Sequence, residues 1–171
     1  SITSMVSKVN KTENPTIDLS EMIATWNKAQ KKLILTGVND PTVLEEKIIQ
    51  HLAKDPSVNV FTEVTSNLHH PTFISSIDTI ITNFAEAEFE ALQPEILITF
   101  GGMVVSKRIK AFLRKYPATQ HWHIDTLRAY DTFGYLSHPI KMNPQEFFEQ
   151  ILSKAENVPS DYKKNIVAIK N

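Results

Sequence analysis

The sequence contains no cysteine and only 4 glycines among its 171 residues. Without cysteine, the chain has no disulfides, thiolate-ligated metal sites or cysteine nucleophiles. The absence is also typical of proteins from a reducing compartment, so we expect a cytoplasmic location. Neither Gly37 nor the pair Gly101-Gly102 continues into G-x-G-x-x-G, and a phosphate P-loop is missing as well. The usual sequence signals for a dinucleotide or nucleoside triphosphate are therefore lacking.

Charge of one sign and long apolar runs are lacking too. The formal net charge is −1, and no basic stripe is visible, which argues against a nucleic-acid or membrane-surface binder. No apolar run approaches the roughly 20 residues needed to span a bilayer, and we recognise no signal peptide. Hydrophobic residues make up 42% of the chain, which is enough for one domain with its own core.

Short apolar segments alternate with segments of helical period through the middle of the chain. Strands are predicted at 32–37, 58–61, 95–100, 120–125 and 139–142, the last as an edge strand because it contains proline. Helices are predicted at 19–26, 41–52, 74–84 with a continuation or second helix to 92, 105–116 and 144–152. The first and third strands are apolar on both faces, as in a parallel sheet covered on two sides. The sequence therefore predicts a Rossmann-like, doubly wound α/β fold with a mostly parallel sheet.

The two ends of the chain read differently from the middle. Residues 1–16 are polar and contain several turn-forming residues, so we expect a linker there. Residues 17–157 are predicted to form a single α/β domain. Residues 158–171 are interpreted as a second linker, leading to a C-terminal domain that the chain does not contain. We expect the chain to be the central piece of a longer polypeptide.

The segment Ile96–Arg108 is the most informative part of the sequence. It predicts a buried strand, a turn at Gly101-Gly102 and a helix whose first turn carries Lys107 and Arg108. Cations at a helix N-terminus oppose the macrodipole, so an anion is expected nearby, either a ligand or a neighbouring carboxylate. Ser106, Lys107 and Arg108 together offer a hydroxyl, a mobile point charge and a planar fork suited to a carboxylate. The plainer alternative is a tight turn followed by solvated cations.

Other polar residues give weaker signals. His121 and His123 share one face of a predicted strand, and a packed or surface pair is favoured over a metal site because no third ligand is suitably spaced. Asp125 ends that strand, where it suits either a ligand hydroxyl or a turn cap. His69-His70 is interpreted as part of a solvated loop. No catalytic set is complete, so no catalytic, cofactor-binding or metal-ligating residue is assigned.

Four segments in the second half of the sequence form a recognisable set of motifs: Leu92–Gly102 (LQPEILITFGG), Val105–Arg108 (VSKR), Phe112-Leu113 and Trp122–Asp125 (WHID). Together they resemble the central domain of thiamine-diphosphate-dependent enzymes, in particular the family of 2-succinyl-5-enolpyruvyl-6-hydroxy-3-cyclohexene-1-carboxylate (SEPHCHC) synthases of menaquinone biosynthesis. The likeness is good from about Leu92 to Asp131 and rests mostly on element order from Lys31 to Ala91.

The resemblance implies a three-domain parent enzyme with two flanking thiamine-binding domains, and a homo-oligomer. It implies that the parent joins 2-oxoglutarate to isochorismate with loss of carbon dioxide, using thiamine diphosphate and Mg²⁺ or Mn²⁺ bound by the other domains. Lys107 and Arg108, with Ser106, are implied to hold a substrate carboxylate, and Lys107 matches the family pattern better than Arg108. The chain has no Gly-Asp-Gly motif with a downstream Asn and no suitably placed activating glutamate, so we expect it to be inactive alone.

Two other functions remain open from the residues alone. One is a stand-alone nucleotide- or dinucleotide-binding module of Rossmann type. The resemblance implies that related central domains sometimes hold a flavin or ADP, but no motif in this sequence supports one. The other is a purely structural domain that mediates contacts between subunits.

Overall fold

A parallel sheet forms the centre of the molecule. The computed structural model describes residues 18–37, 44–63, 67–102, 104, 106–126 and 138–170. The strands in these ranges are β1 (Lys32–Thr36), β2 (Val58–Thr62), β3 (Ile96–Phe100), β4 (Gln120–Asp125) and β5 (His138–Lys141). They lie in the order β2-β1-β3-β4-β5, and each neighbouring pair is parallel. The predicted α/β fold and the edge position of the proline-containing strand are confirmed.

Helices cover both faces of this sheet. They are α1 (Ser20–Lys28), α2 (Glu46–Lys54), α3 (Ile77–Thr82), α4 (Glu86–Leu92), α5 (Lys107–Lys115), α6 (Pro144–Leu152) and α7 (Tyr162–Lys170). Alternate strand residues point to opposite faces, so Ile34 and Ile98 join the apolar layer with α1, α2 and α6. Leu33 and Leu97 join the opposite layer with α3, α4, α5 and α7. None of the described helices has the length and apolar character required to cross a bilayer.

The order of the strands indicates where a ligand would bind. β2 lies on one side of β1 and β3 lies on the other, which makes the space between β1 and β3 a topological switch point. Ligands of open α/β sheets bind at such a point, beyond the carboxyl ends of the strands, which we call the carboxyl edge of the sheet. Thr36 and Phe100 are register partners there, and the Gly37 N–H donates to the Phe100 carbonyl at 3.3 Å. The loops after β1, β2, β3 and β4 all leave from this edge.

The helix predicted to begin at Ile74 begins three residues later, at Ile77, so its predicted start was wrong. The Ile74 N–H donates to the Val60 carbonyl and the Thr62 N–H donates to the Ile74 carbonyl, both at 2.8 Å. These bonds form an isolated parallel bridge beside β2, and the Ile74 side chain is fully buried in the layer with α3. The helix therefore begins only at Ile77, because the backbone of Ile74 is already paired with the sheet.

The observed starts of α2 and α5 lie later in the chain than the predicted ones. Helix α2 begins at Glu46, after Glu45 in an extended conformation, whereas the sequence predicted a start at Pro41. Pro41 itself lies outside the described residues. Val105, where the sequence predicted the start of α5, also lies outside them. Helix α5 begins at Lys107.

Part of the predicted C-terminal linker forms helix α7, which packs on the domain. Tyr162 and Ile166 are buried in the same apolar layer as α4. The Lys163 ammonium donates to the carbonyls of Leu52 and Ala53, at 2.8 and 2.6 Å, at the end of α2. Burial lowers the pKa of Lys163 to about 8. Residues 162–170 are thus part of the folded unit. The helix was not predicted because only two of its side chains are buried in the apolar layer. The other predicted linker, 1–16, lies outside the described residues.

We predict that Tyr162→Phe destabilises the chain by about 1–2 kcal/mol. The buried Tyr162 hydroxyl donates to the Leu92 carbonyl at 2.6 Å, and its loss leaves that carbonyl unsatisfied at the end of α4. The measurement is the urea midpoint of the 171-residue chain. Tyr116→Phe is the matched control, because the Tyr116 hydroxyl has no hydrogen bond within the described residues. Equal midpoints for the two variants would contradict an anchoring role for α7.

Candidate functional site

The turn after β3 leads directly into α5, as the sequence predicts. Gly101 has φ 83°, in the left-handed region that glycine occupies without steric cost. The chain then reaches Ser106, whose hydroxyl accepts a hydrogen bond from the Ile109 N–H at 3.2 Å. Ser106 is therefore the N-cap of α5, and Lys107 and Arg108 occupy the first turn.

Two carboxylates of this chain meet the N-terminus of α5. The buried Glu63, directly after β2, accepts a hydrogen bond from the Ser106 N–H at Oε1, at 3.1 Å. Asp78, in the first turn of α3, accepts from the Ser106 hydroxyl at Oδ1, at 2.5 Å. Negative charge is favourable at a helix N-terminus. The anion that the cation pair led us to expect is thus supplied, at least in part, by Glu63 and Asp78.

Arg108 joins α5 to α3. Its Nη1 donates to the Thr82 hydroxyl at 2.7 Å, and that hydroxyl donates in turn to the Asp78 carbonyl at 2.5 Å. Asp78 and Thr82 are four residues apart, so both lie on the face of α3 that meets α5. Arg108 remains solvent-exposed, with guanidinium N–H groups beyond the one that Thr82 uses.

Lys107 differs from Arg108 in having no polar side-chain contact within the described part of the chain. It is exposed, and no described residue hydrogen-bonds or forms an ion pair with its ammonium. Ser106, in contrast, is buried, and its hydroxyl and N–H all contact neighbouring protein groups. The three predicted binding residues lie together at the carboxyl edge of the sheet, but only Lys107 and Arg108 face solvent.

A buried polar cluster lies deeper in the sheet. The Thr99 hydroxyl oxygen is 2.7 Å from His121 Nε2 and 2.7 Å from His123 Nδ1. A hydroxyl has one proton, so it donates to one imidazole and accepts from the other. Burial lowers the pKa of His123, while Asp125, with Oδ2 3.7 Å from Nε2, opposes that shift. The favoured interpretation of a packed histidine pair agrees with this geometry.

The remaining candidates do not converge on α5. His70 Nδ1 accepts a hydrogen bond from the Thr72 N–H at 3.1 Å within its own loop, while His69 is exposed. Both histidines line an open cleft of about 300 Å³ beside Lys170. A larger cleft of about 480 Å³ lies between α2 and residues 155–157. Neither is lined by Lys107 or Arg108.

Sequence reasoning missed Glu63 and Asp78. Glu63 gives one usable signal, because it is an acidic residue directly after a buried strand, at the edge where the loops gather. Asp78 gives none, since an acidic residue in the first turn of a helix is common.

Comparison with known proteins identifies the family. Residues 6–158 match the family described as "Middle domain of thiamine pyrophosphate". The chain belongs to this family. The resemblance inferred from the motifs between Leu92 and Asp125 is thereby confirmed at the level of the family.

Curated relatives are considerably longer than this chain. A 2-succinyl-5-enolpyruvyl-6-hydroxy-3-cyclohexene-1-carboxylate synthase of Flavobacterium johnsoniae is 56% identical over 143 residues, covering 83% of this chain and 26% of the relative. One from Flavobacterium psychrophilum is 56% identical over 152 residues, covering 88% and 28%. A third, from Phocaeicola vulgatus, is 33% identical over 151 residues, covering 85% and 26%. The chain thus spans about a quarter of the length of these relatives.

We predict that the stability of the chain falls as the pH is lowered from 7.5 to 5.5. The pKa of His123 is lowered in the folded state, so below the ordinary value of about 6.5 the unfolded chain binds the proton more readily. The contribution of His123 is complete above that pH and is lost on acidification. Urea midpoints measured across the range will fall less steeply in His123→Gln. His51→Gln, on the exposed surface of α2, is the control and keeps the parental slope. An unchanged slope in His123→Gln would contradict the assignment.

Proposed function

We propose that this chain is the middle domain of a SEPHCHC synthase. The observation that carries the proposal is the 56% identity to two relatives of that name over more than four-fifths of the chain. The proposed domain limits are those predicted from the sequence, extended at the C-terminal end to include α7. The flanking domains, a homo-oligomeric assembly and a cytoplasmic location are part of the proposal.

The proposed parent enzyme removes carbon dioxide from 2-oxoglutarate and adds the remaining unit to isochorismate, in menaquinone biosynthesis. Thiamine diphosphate, together with Mg²⁺ or Mn²⁺, would supply the chemistry of carbon–carbon bond formation when bound. The residues of this chain do not fit that cofactor, because the sequence lacks the Gly-Asp-Gly motif with its downstream Asn. Within the described residues, no three acidic or histidine side chains are grouped as metal ligands. The cofactor is therefore assigned to the other domains.

The contribution of this domain is a cationic group at the carboxyl edge of its sheet. Both proposed substrates carry carboxylates, and Lys107 presents an exposed ammonium there. Arg108 adds a second cation next to Lys107. Its hydrogen bond to the Thr82 hydroxyl also joins α5 to α3, so part of its guanidinium is used within the fold. Ser106 acts as the cap that sets where the helix begins. Lys107 is thus the principal substrate contact that we propose.

The geometry disfavours a nucleotide-binding module at this helix. Phosphates bind helix N-termini through free backbone N–H groups and the positive end of the dipole. Here the Ser106 N–H already donates to Glu63, and the carboxylate of Asp78 lies against the Ser106 hydroxyl. The Ser106 N–H and hydroxyl are therefore already used by protein carboxylates and are not available to a phosphate.

In the full-length enzyme, we predict that Lys107→Ala raises the KM for isochorismate about tenfold, the loss of one charge-assisted contact. The kcat should change much less, because the ammonium binds substrate rather than taking part in bond formation. Steady-state kinetics measure both values. Lys110→Ala, on the same helix one turn further from the sheet edge, is the matched control. An unchanged KM in Lys107→Ala, with the fold intact by circular dichroism, would favour a structural role for the domain.

We also expect the 171-residue chain to bind no thiamine diphosphate. Isothermal titration with thiamine diphosphate and Mg²⁺ should give no heat of binding to this chain but a clear transition with the full-length protein. Parallel titrations with ADP and NAD test the alternative function. Tight binding of either nucleotide would support a nucleotide-binding module instead.

A further inference from the structure

We propose that Glu63 and Asp78 are positioning residues for Lys107, acting through Ser106. The inference rests on the proposed function of Lys107 and extends it to two acidic residues outside α5. Neither carboxylate forms an ion pair with Lys107 within the described residues. Both instead contact Ser106, the residue immediately before it.

Glu63 connects the start of α5 to the end of the sheet. Its own N–H donates to the carbonyl of Thr36, the last residue of β1, at 3.0 Å, which continues the pairing of the two strands one residue beyond the end of β2. Its side chain is buried and reaches the Ser106 N–H. The position of the helix start is therefore set by the rigid centre of the fold.

Asp78 fixes the same residue from the other side. It belongs to α3, which packs against α5, and its carboxylate accepts a hydrogen bond from the Ser106 hydroxyl. The bond between Arg108 and Thr82 closes a second link between the same two helices. Ser106 is thus held by its backbone to the sheet and by its side chain to α3.

The chemistry of the contacts predicts which substitutions matter. In Glu63→Ala the buried Ser106 N–H loses its acceptor, which costs more than the bond itself contributes. Glu63→Gln keeps a carbonyl oxygen at the same place, so the amide can still accept that hydrogen. The same distinction holds for Asp78→Ala and Asp78→Asn. A positioning role therefore predicts rescue by the amide variants.

The test uses steady-state kinetics of the full-length enzyme. Glu63→Ala and Asp78→Ala should each raise the KM for isochorismate about fivefold, because a shifted helix start misplaces the ammonium. Their kcat should stay within about twofold of the parent, and Glu63→Gln and Asp78→Asn should restore most of the affinity. Glu146→Ala removes an exposed first-turn acid from α6 and is the matched control.

A double-mutant cycle separates positioning from general destabilisation. If the carboxylates act through Lys107, Glu63→Ala adds no further increase in KM to a Lys107→Ala background. Additive effects, or an unchanged KM in both alanine variants, overturn the inference while leaving the role of Lys107 intact. An unchanged KM in Lys107→Ala itself overturns the proposed substrate contact of Lys107 and this inference together. If Glu63→Ala does not fold, the exposed Asp78→Ala carries the same cycle.

Discussion

The rest of the structure depends on the complete burial of the two central strands. Every residue of β1 and β3 is buried, so helices must cover both faces of the sheet and any polar group within these strands needs a protein partner. Lys32 illustrates the constraint at the amino end. Its ammonium donates to the Ser57 hydroxyl at 2.9 Å, lies 4.6 Å from the Trp26 ring centre, and has its pKa lowered to about 8 by burial. At the carboxyl end the same constraint gathers the loops that precede α3 and α5.

Charges of both signs lie at the start of α5. The two cations oppose the helix dipole, and the neighbouring carboxylates favour it. An exposed charge near a helix terminus contributes about 0.3–1 kcal/mol, with more in partly buried geometries. Lys107 and Arg108 are exposed, whereas Glu63 is buried and accepts a hydrogen bond from the Ser106 N–H. The buried carboxylate is therefore the less screened of these charges. The helix dipole gains nothing from Lys107, and the proposed function gives this cation a role outside the helix.

The sequence predicted those parts of the fold that depend on local patterns. Apolar runs located β1 and β3, and the glycine turn with its two cations located the start of α5. The bridge at Ile74 escaped prediction because a buried isoleucine satisfies helical and extended patterns equally. Helix α7 was not predicted because its packing depends on two buried side chains and on a hydrogen bond from Lys163 to the end of α2. Glu63 and Asp78 lie far from Ser106 in sequence, so only the fold brings the three together.

An exposed lysine is a weak anchor for a carboxylate in water. Two unit charges at about 4 Å attract by about 1 kcal/mol in bulk water, but by about 4 kcal/mol where the effective dielectric constant is near 20. Within the described residues, neither of the two clefts includes Lys107, and its ammonium is exposed in the weaker regime. Under the proposed function, the carboxyl edge has to be shielded from water when substrate is bound. The Ser106 contacts would then matter, because a binding site is precise only if its charged groups are held in place beforehand.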